Sequence, residues 1–164
     1  MSVVAGKVYK DKIVIGADTQ TTWGQAIQTS SEAKLFKITD DFIIGSVGKA
    51  IDGQMMRLYC ATHKPKSSSE HDIVEFMVEH WEWRKKKNSE YKPSGYFLFV
   101  FDGKLFSVTE YLDIDYHDYW AIGSGGEYAR AALYLGHDVR EAIKVACDLT
   151  IFCGEPIEIY EVSI

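Results

Sequence analysis

Nowhere among the 164 residues are there 18 consecutive apolar positions, and no apolar run follows a basic segment near the N-terminus. Neither a membrane span nor a signal peptide is therefore expected, and a soluble, cytoplasmic protein is the default expectation. Cysteine is scarce: Cys60, Cys147 and Cys153 are odd in number and form no CxxC pair, which argues against a disulfide framework or a zinc site and for buried thiols in a reducing compartment. Positive charge is also short, since the net charge is -6 and the pI about 5.3, so a nucleic-acid-binding surface is not the expected function. The five histidines, His63, His71, His80, His117 and His137, lack metal-ligand spacing and read as structural or surface residues. Gly123-Ser124-Gly125-Gly126 lacks the lysine of a P-loop and the spacing of a dinucleotide fingerprint, and reads as a close-packed turn. No metal and no cofactor is expected. No repeat, linker or composition break divides the chain, so residues 1–164 are expected to form a single domain.

With 46% hydrophobic and 13% aromatic residues, the chain has enough apolar material for a substantial core. Ser2–Val8 and Lys12–Ala17 read as strands joined by Tyr9-Lys10-Asp11, and Lys34–Ile38 and Phe42–Gly45 as a second hairpin around Thr39-Asp40-Asp41. The polar segment from Asp18 to Ser31 between them reads as irregular or loosely stranded. A helix then follows Gly45-Ser46-Val47-Gly48, with Ile51, Met55, Leu58 and Tyr59 expected on its buried face. Ser69 is the expected N-cap of a second helix, with Ile73, Phe76, Met77, His80 and Trp81 along one face. Its closing run Arg84-Lys85-Lys86-Lys87 reads as a solvated C-terminus favoured by the helix dipole, in preference to an anionic docking patch.

Tyr96–Phe101 and Lys104–Thr109 flank Asp102-Gly103, a strong hairpin signal. A strand over Tyr119–Ile122, helices over Glu127–Leu135 and Val139–Thr150 with Gly136 between them, and a closing strand over Ile157–Val162 complete the chain. Strand runs and helix runs segregated in this order predict an α+β fold in layers, two stacked antiparallel sheets with helices on both outer faces.

Against this frame the chain's first residues carry chemistry. Once Met1 is removed, Ser2 presents a hydroxyl and a free α-amine on one residue. The amine, with a pKa of roughly 7.7–8.0, can accept the hydroxyl proton directly or through one water. A nearby cation would lower that pKa further; Lys34 is the candidate cation and Asp18 the anion that holds it. The backbone N–H of Gly48, just before a helix, suits a developing oxyanion.

These residues lie in segments that resemble the proteasome β-type N-terminal-nucleophile hydrolases, and within them the bacterial HslV-type peptidase subunit. The resemblance is carried by Val14-Ile15-Gly16-Ala17-Asp18-Thr19-Gln20, Lys34-Leu35-Phe36-Lys37-Ile38, Ile44-Gly45-Ser46-Val47-Gly48, Ala121-Ile122-Gly123-Ser124-Gly125-Gly126 and Ala146-Cys147-Asp148, nearly end to end. Gaps of sixteen, sixteen and fourteen residues separate Ser2, Asp18, Lys34 and Gly48 in turn. The resemblance implies a four-layer αββα sandwich and a peptide-bond hydrolase with Ser2 as nucleophile, where the family usually has threonine. It implies that Asp18 and Lys34 tune the nucleophile, that Gly48 is the oxyanion donor, and that Ser124 and Asp148 lie near the terminal amine. Substrate polypeptide is expected as an added strand between Thr19, Gln20, Thr21 and Thr22 on one side and Gly48, Lys49 and Ala50 on the other, with Ser46, Ala50 and Phe36 as pocket side chains. Homo-oligomeric rings, an ATP-dependent unfoldase partner and activation by methionine removal are further implications. A ring-forming scaffold without activity and a small-molecule amidohydrolase are the alternatives.

Overall fold

The computed structural model describes residues 2–24, 26–29 and 33–164. Its first sheet joins β1 (Val4–Val8), β2 (Lys12–Asp18), β10 (Tyr119–Ile122) and β11 (Ile157–Ser163), in the antiparallel order β10-β1-β2-β11. The second runs β5-β6-β7-β8-β9 from β5 (Leu35–Thr39), β6 (Phe42–Val47), β7 (Tyr96–Phe101), β8 (Lys104–Val108) and β9 (Ile114–Tyr116). Helices α1 (Ala50–Cys60) and α2 (Glu70–Lys87) cover the second sheet, and α3 (Gly126–Tyr134) and α4 (Val139–Leu149) cover the first. The architecture is the four-layer αββα sandwich.

The two-residue alternation of strand side chains sorts the core into three layers. On β7, Phe97, Phe99 and Phe101 join Phe42, Met56, Ile73 and Met77 under α1 and α2, whereas Leu98 and Val100 face the other sheet with Val4, Ile13 and Ile15. The layer beneath α3 and α4 is built largely of small residues, including Ala129, Ala132, Ala142 and Ala146, so these helices lie close on their sheet. Each fully buried Phe, Leu or Ile contributes about 1.5–3 kcal/mol, so the packing between layers outweighs any single polar contact. Gly45 belongs to the sheet-to-sheet face, where a Cβ would run into the Val4 side chain; only glycine lets the sheets approach here.

Several expectations change. Segment 18–31 includes a separate hairpin of β3 (Gln20–Trp23) and β4 (Ala26–Thr29). Strand β9 pairs with β8 although its three residues lack a strand-length pattern. The first ladder begins at Val4, because the Val3 N–H goes to the Asp18 carboxylate.

On α1 the buried face is Asp52, Gly53, Met56, Tyr59 and Cys60, and the expected Ile51 and Leu58 are more than half exposed. A buried ion pair rotates the helix away from its apolar pattern: Arg84 Nη1 donates to Asp52 Oδ1 at 2.6 Å and Ser94 Oγ to Asp52 Oδ2 at 2.9 Å. Arg84 is accordingly not part of a solvated run; its guanidinium also stacks 3.8 Å over the Tyr91 ring. The Ser69 cap of α2 holds, with its hydroxyl accepting from the Asp72 N–H at 3.2 Å.

Candidate functional site

The last residue of β2 is Asp18, whose carboxylate is fully buried and takes four donors. Oδ1 accepts from the Val3 N–H at 2.8 Å and Lys34 Nζ at 2.6 Å; Oδ2 accepts from the Gln20 N–H at 3.2 Å and the Gly154 N–H at 3.1 Å. A carboxylate removed from water requires such replacement of its hydration. Lys34 also donates to the Gln20 carbonyl at 2.6 Å, so its position is defined from two sides.

The chain start is clamped by backbone. Asp18 N–H donates to the Val3 carbonyl and Gly125 N–H to the Ser2 carbonyl, both at 3.1 Å. Gly123, at φ +94°, lies so close to the Ser2 carbonyl that a Cβ would strike it. The glycine-rich turn therefore serves Ser2 through its main chain. Ser2 itself is buried, at 6% exposure, and lines a cleft of about 830 Å³.

Of the sequence-predicted residues, Ser2, Gln20, Thr21, Thr22, Lys34, Ser46, Gly48, Lys49 and Ala50 line this cleft, as does Phe36. Gly48 takes φ +102° with open space where a Cβ would lie, a backbone conformation that favours glycine. Thr19 points elsewhere, its hydroxyl donating to the Pro156 carbonyl at 2.7 Å. The Ser124 side chain is exposed and makes no hydrogen bond among the described residues. Asp148 lies on the outer face of α4, 59% exposed, and accepts from Lys144 Nζ at 3.1 Å.

Sequence reasoning missed Gly154 and the structural contact of Gln20, which it expected only as a substrate-binding residue. Gly154 supplies one of the four Asp18 donors. Gln20 holds the loop that carries it, through Nε2 to the Ile151 carbonyl at 2.8 Å. Neither has a local signal, since both contacts span more than 130 residues.

Two thiols lie within the field of Asp18. Burial first, and then the Asp18 charge, push Cys153 up to about 12 and Cys147 up to about 11, so both stay protonated near neutrality and do not compete as nucleophiles. Among the described residues, no histidine, cysteine or carboxylate lines the cleft. Among the described residues, His71, Asp72 and Glu75 lie close enough to share an ion, but Ser67 and Lys66 already engage the two carboxylates. No described helix is long and apolar enough to cross a membrane.

Comparison with known proteins agrees with the fold. The ATP-dependent protease subunit HslV of Campylobacter hominis is 27% identical over 169 residues, covering 93% of this chain and 91% of the relative. That of Helicobacter pylori is 28% identical over 166 residues, with 93% and 91% covered. Among solved structures, Thiobacillus denitrificans BPH in complex with epoxomicin superimposes with a TM-score of 0.87 at 19% identity over 98% of both chains. Eukaryotic HslV from Trypanosoma brucei gives 0.72 at 22% identity over 99% of both. The sequence profile of the family described as "Proteasome subunit" matches residues 2–149, and the chain belongs to that family.

Proposed function

We propose that the protein is a peptidase of the N-terminal-nucleophile type, reacting through Ser2 in the form from which Met1 has been removed. The observation that carries this reading is the convergence of Ser2, the Asp18-bound Lys34 and Gly48 on one cleft.

In the proposed reaction the Ser2 α-amine takes the proton from Oγ, directly or through a water, as Oγ attacks the scissile carbonyl carbon. The Lys34 charge favours the neutral amine that this step needs. The tetrahedral oxyanion forms beside the Gly48 N–H; its collapse breaks the C–N bond, and the Ser2 ammonium returns the proton to the departing amine. Water then hydrolyses the Ser2 ester by the same relay. Extended polypeptide would lie between Thr21-Thr22 and Gly48–Ala50, adding a strand in the cleft. By similarity to the HslV subunits, the chain would assemble into rings, receive unfolded polypeptide from an ATP-dependent partner and act in the cytoplasm. Ser124 and Asp148 enter this proposal only as residues near the glycine turn and α4, with no step assigned to their side chains.

The test is an intact-mass spectrum before and after exposure to a peptide epoxyketone, whose stable ring adduct needs an adjacent amine and hydroxyl. Loss of Met1 with one adduct per chain is expected, together with peptide hydrolysis that Ser2→Ala abolishes. A Ser2-terminated chain that forms no adduct and cleaves no peptide would leave a ring-forming scaffold as the reading. Hydrolysis of small amides but not peptides would make it an amidohydrolase.

A further inference from the structure

A second groove of about 480 Å³ lies beside the first, between β5 and the C-terminal turn of α1. Lys37, Arg57, His63 and Lys64 line it, the half-buried Ile38 and the buried Cys60 form its floor, and among the described residues no carboxylate lines it. That concentration is unusual in a chain of net charge -6. Among the described residues no carboxylate pairs with Arg57 or Lys64. Lys37 pairs with Asp40 at 2.7 Å, but the two side chains are 45% and 98% exposed, so this contact holds the lysine weakly. His63 is fixed: its ring stacks on Tyr59 with centroids 4.1 Å apart, and Nδ1 lies 3.1 Å from the Tyr59 carbonyl. Thr62 Oγ1 lies closer to Nδ1, at 2.9 Å, and with that hydroxyl donating to Nδ1 the proton sits on Nε2, which can donate to an anion.

We propose that this groove binds a small organic anion, an apolar body carrying a phosphate or carboxylate group. The apolar floor takes the body and the cations take the charge, and the volume suits a single small ligand. Basic side chains at a helix C-terminus are often explained by the dipole alone. Here Lys37 comes from a different element, β5, and the cations converge on a concavity, which the dipole does not require.

Arg57 connects this groove to the larger cleft. Its guanidinium carbon lies 5.9 Å from the centroid of the Phe36 ring, and Phe36 lines the cleft that contains Ser2. An anion that draws Arg57 away removes the cation from the outer face of that wall. This consequence for peptide cleavage rests on the peptidase reading; binding in the groove does not.

The experiment is titration calorimetry of the assembled protein with 1-naphthyl phosphate, against 1-naphthol, inorganic phosphate and a short acidic peptide. Saturable binding of 1-naphthyl phosphate is expected, weakened about tenfold in Arg57→Gln/Lys64→Gln, since each exposed charge lost contributes a factor of a few. Both residues are exposed, so thermal unfolding of the variant should match the parent and separate lost binding from lost structure. No binding, equal binding of neutral naphthol, undiminished binding by the variant, or binding of the acidic peptide alone would each overturn the proposal. Peptide hydrolysis with and without the naphthyl ester reads the Arg57–Phe36 link separately. A protein that binds the ester but hydrolyses nothing sinks the peptidase reading and leaves the groove assignment intact.

Discussion

Asp18 holds its charge without water by means of four donors from four parts of the chain, and a change there affects both stability and reactivity. Asp18→Ala leaves the Lys34 ammonium, 11% exposed, without a counter-ion, and a buried pair broken on one side costs about 3–5 kcal/mol. Asp18→Asn keeps the shape and should cost less in denaturant unfolding while lowering peptide hydrolysis by about 10²-fold or more, because the charge that fixes Lys34 is gone. Retention of full activity in Asp18→Asn would remove Asp18 from the proposed mechanism. His80 is the opposite case, 1% exposed with neither ring nitrogen bonded to a described residue. Burial, and then the neighbouring Arg84 charge, depress it to about 4, against an ordinary value of 6.5; Asp52 opposes this weakly. The folded state thus binds fewer protons than the unfolded state between those values. Stability is full above about pH 6.5 and falls by about 3 kcal/mol as pH drops toward 4. His80→Phe should flatten that slope in urea midpoints measured from pH 7 to pH 4.5, and an unchanged slope would assign the acid sensitivity to other groups.

At the scale of elements, the orientation of α1 depends on one ion pair. Asp52 and Arg84, 2% and 8% exposed, join α1 to α2, and Ser94 and Tyr91 complete the shell. Arg84→Ala is expected to cost about 3–5 kcal/mol, since it leaves a buried carboxylate. The double change Asp52→Leu/Arg84→Met removes both charges and should restore most of that loss in chemical unfolding. If the double variant is as unstable as the single one, the pair is not what orients the helix. Helix α4 shows a more local rule. Asp138 accepts from the Glu141 N–H at 2.8 Å and Glu141 answers to the Asp138 N–H at 3.1 Å, so Asp138→Ala should cost about 1 kcal/mol.

Across the whole molecule, two sheets meet over a face in which Gly45 allows contact with Val4. Gly45→Val would drive apart β1 and β6, the strands next to Ser2 and Gly48 in the chain. Overpacking of this kind costs about 1–3 kcal/mol, and hydrolysis should fall further than stability because the site spans both sheets. Thermal unfolding and peptide turnover measured on the same preparation check this; a loss of stability with turnover intact would contradict it. In the assembled state, light scattering should give a multiple of 18.6 kDa, and a monomer in solution would count against the ring proposal.

The amino-acid sequence by itself determined the layered α+β class and most of its elements, because alternation on β7 and helical spacing on α2 are local periodicities that any window of the chain displays. It also marked Ser2, Asp18, Lys34 and Gly48, which lie at or within two residues of the ends of β1, β2, β5 and β6. Tertiary structure alone decided the buried face of α1, since an aspartate there is tolerable only with Arg84 from 32 positions away. Only the fold could bring Gly154 and Gln20 to the site, deliver Ser2 through the backbone of Gly123 and Gly125, and turn Thr19 toward Pro156. The reason is physical: periodicity records which residues avoid water, whereas the partners of a buried charge or an unpaired N–H are set by where distant strands come to lie.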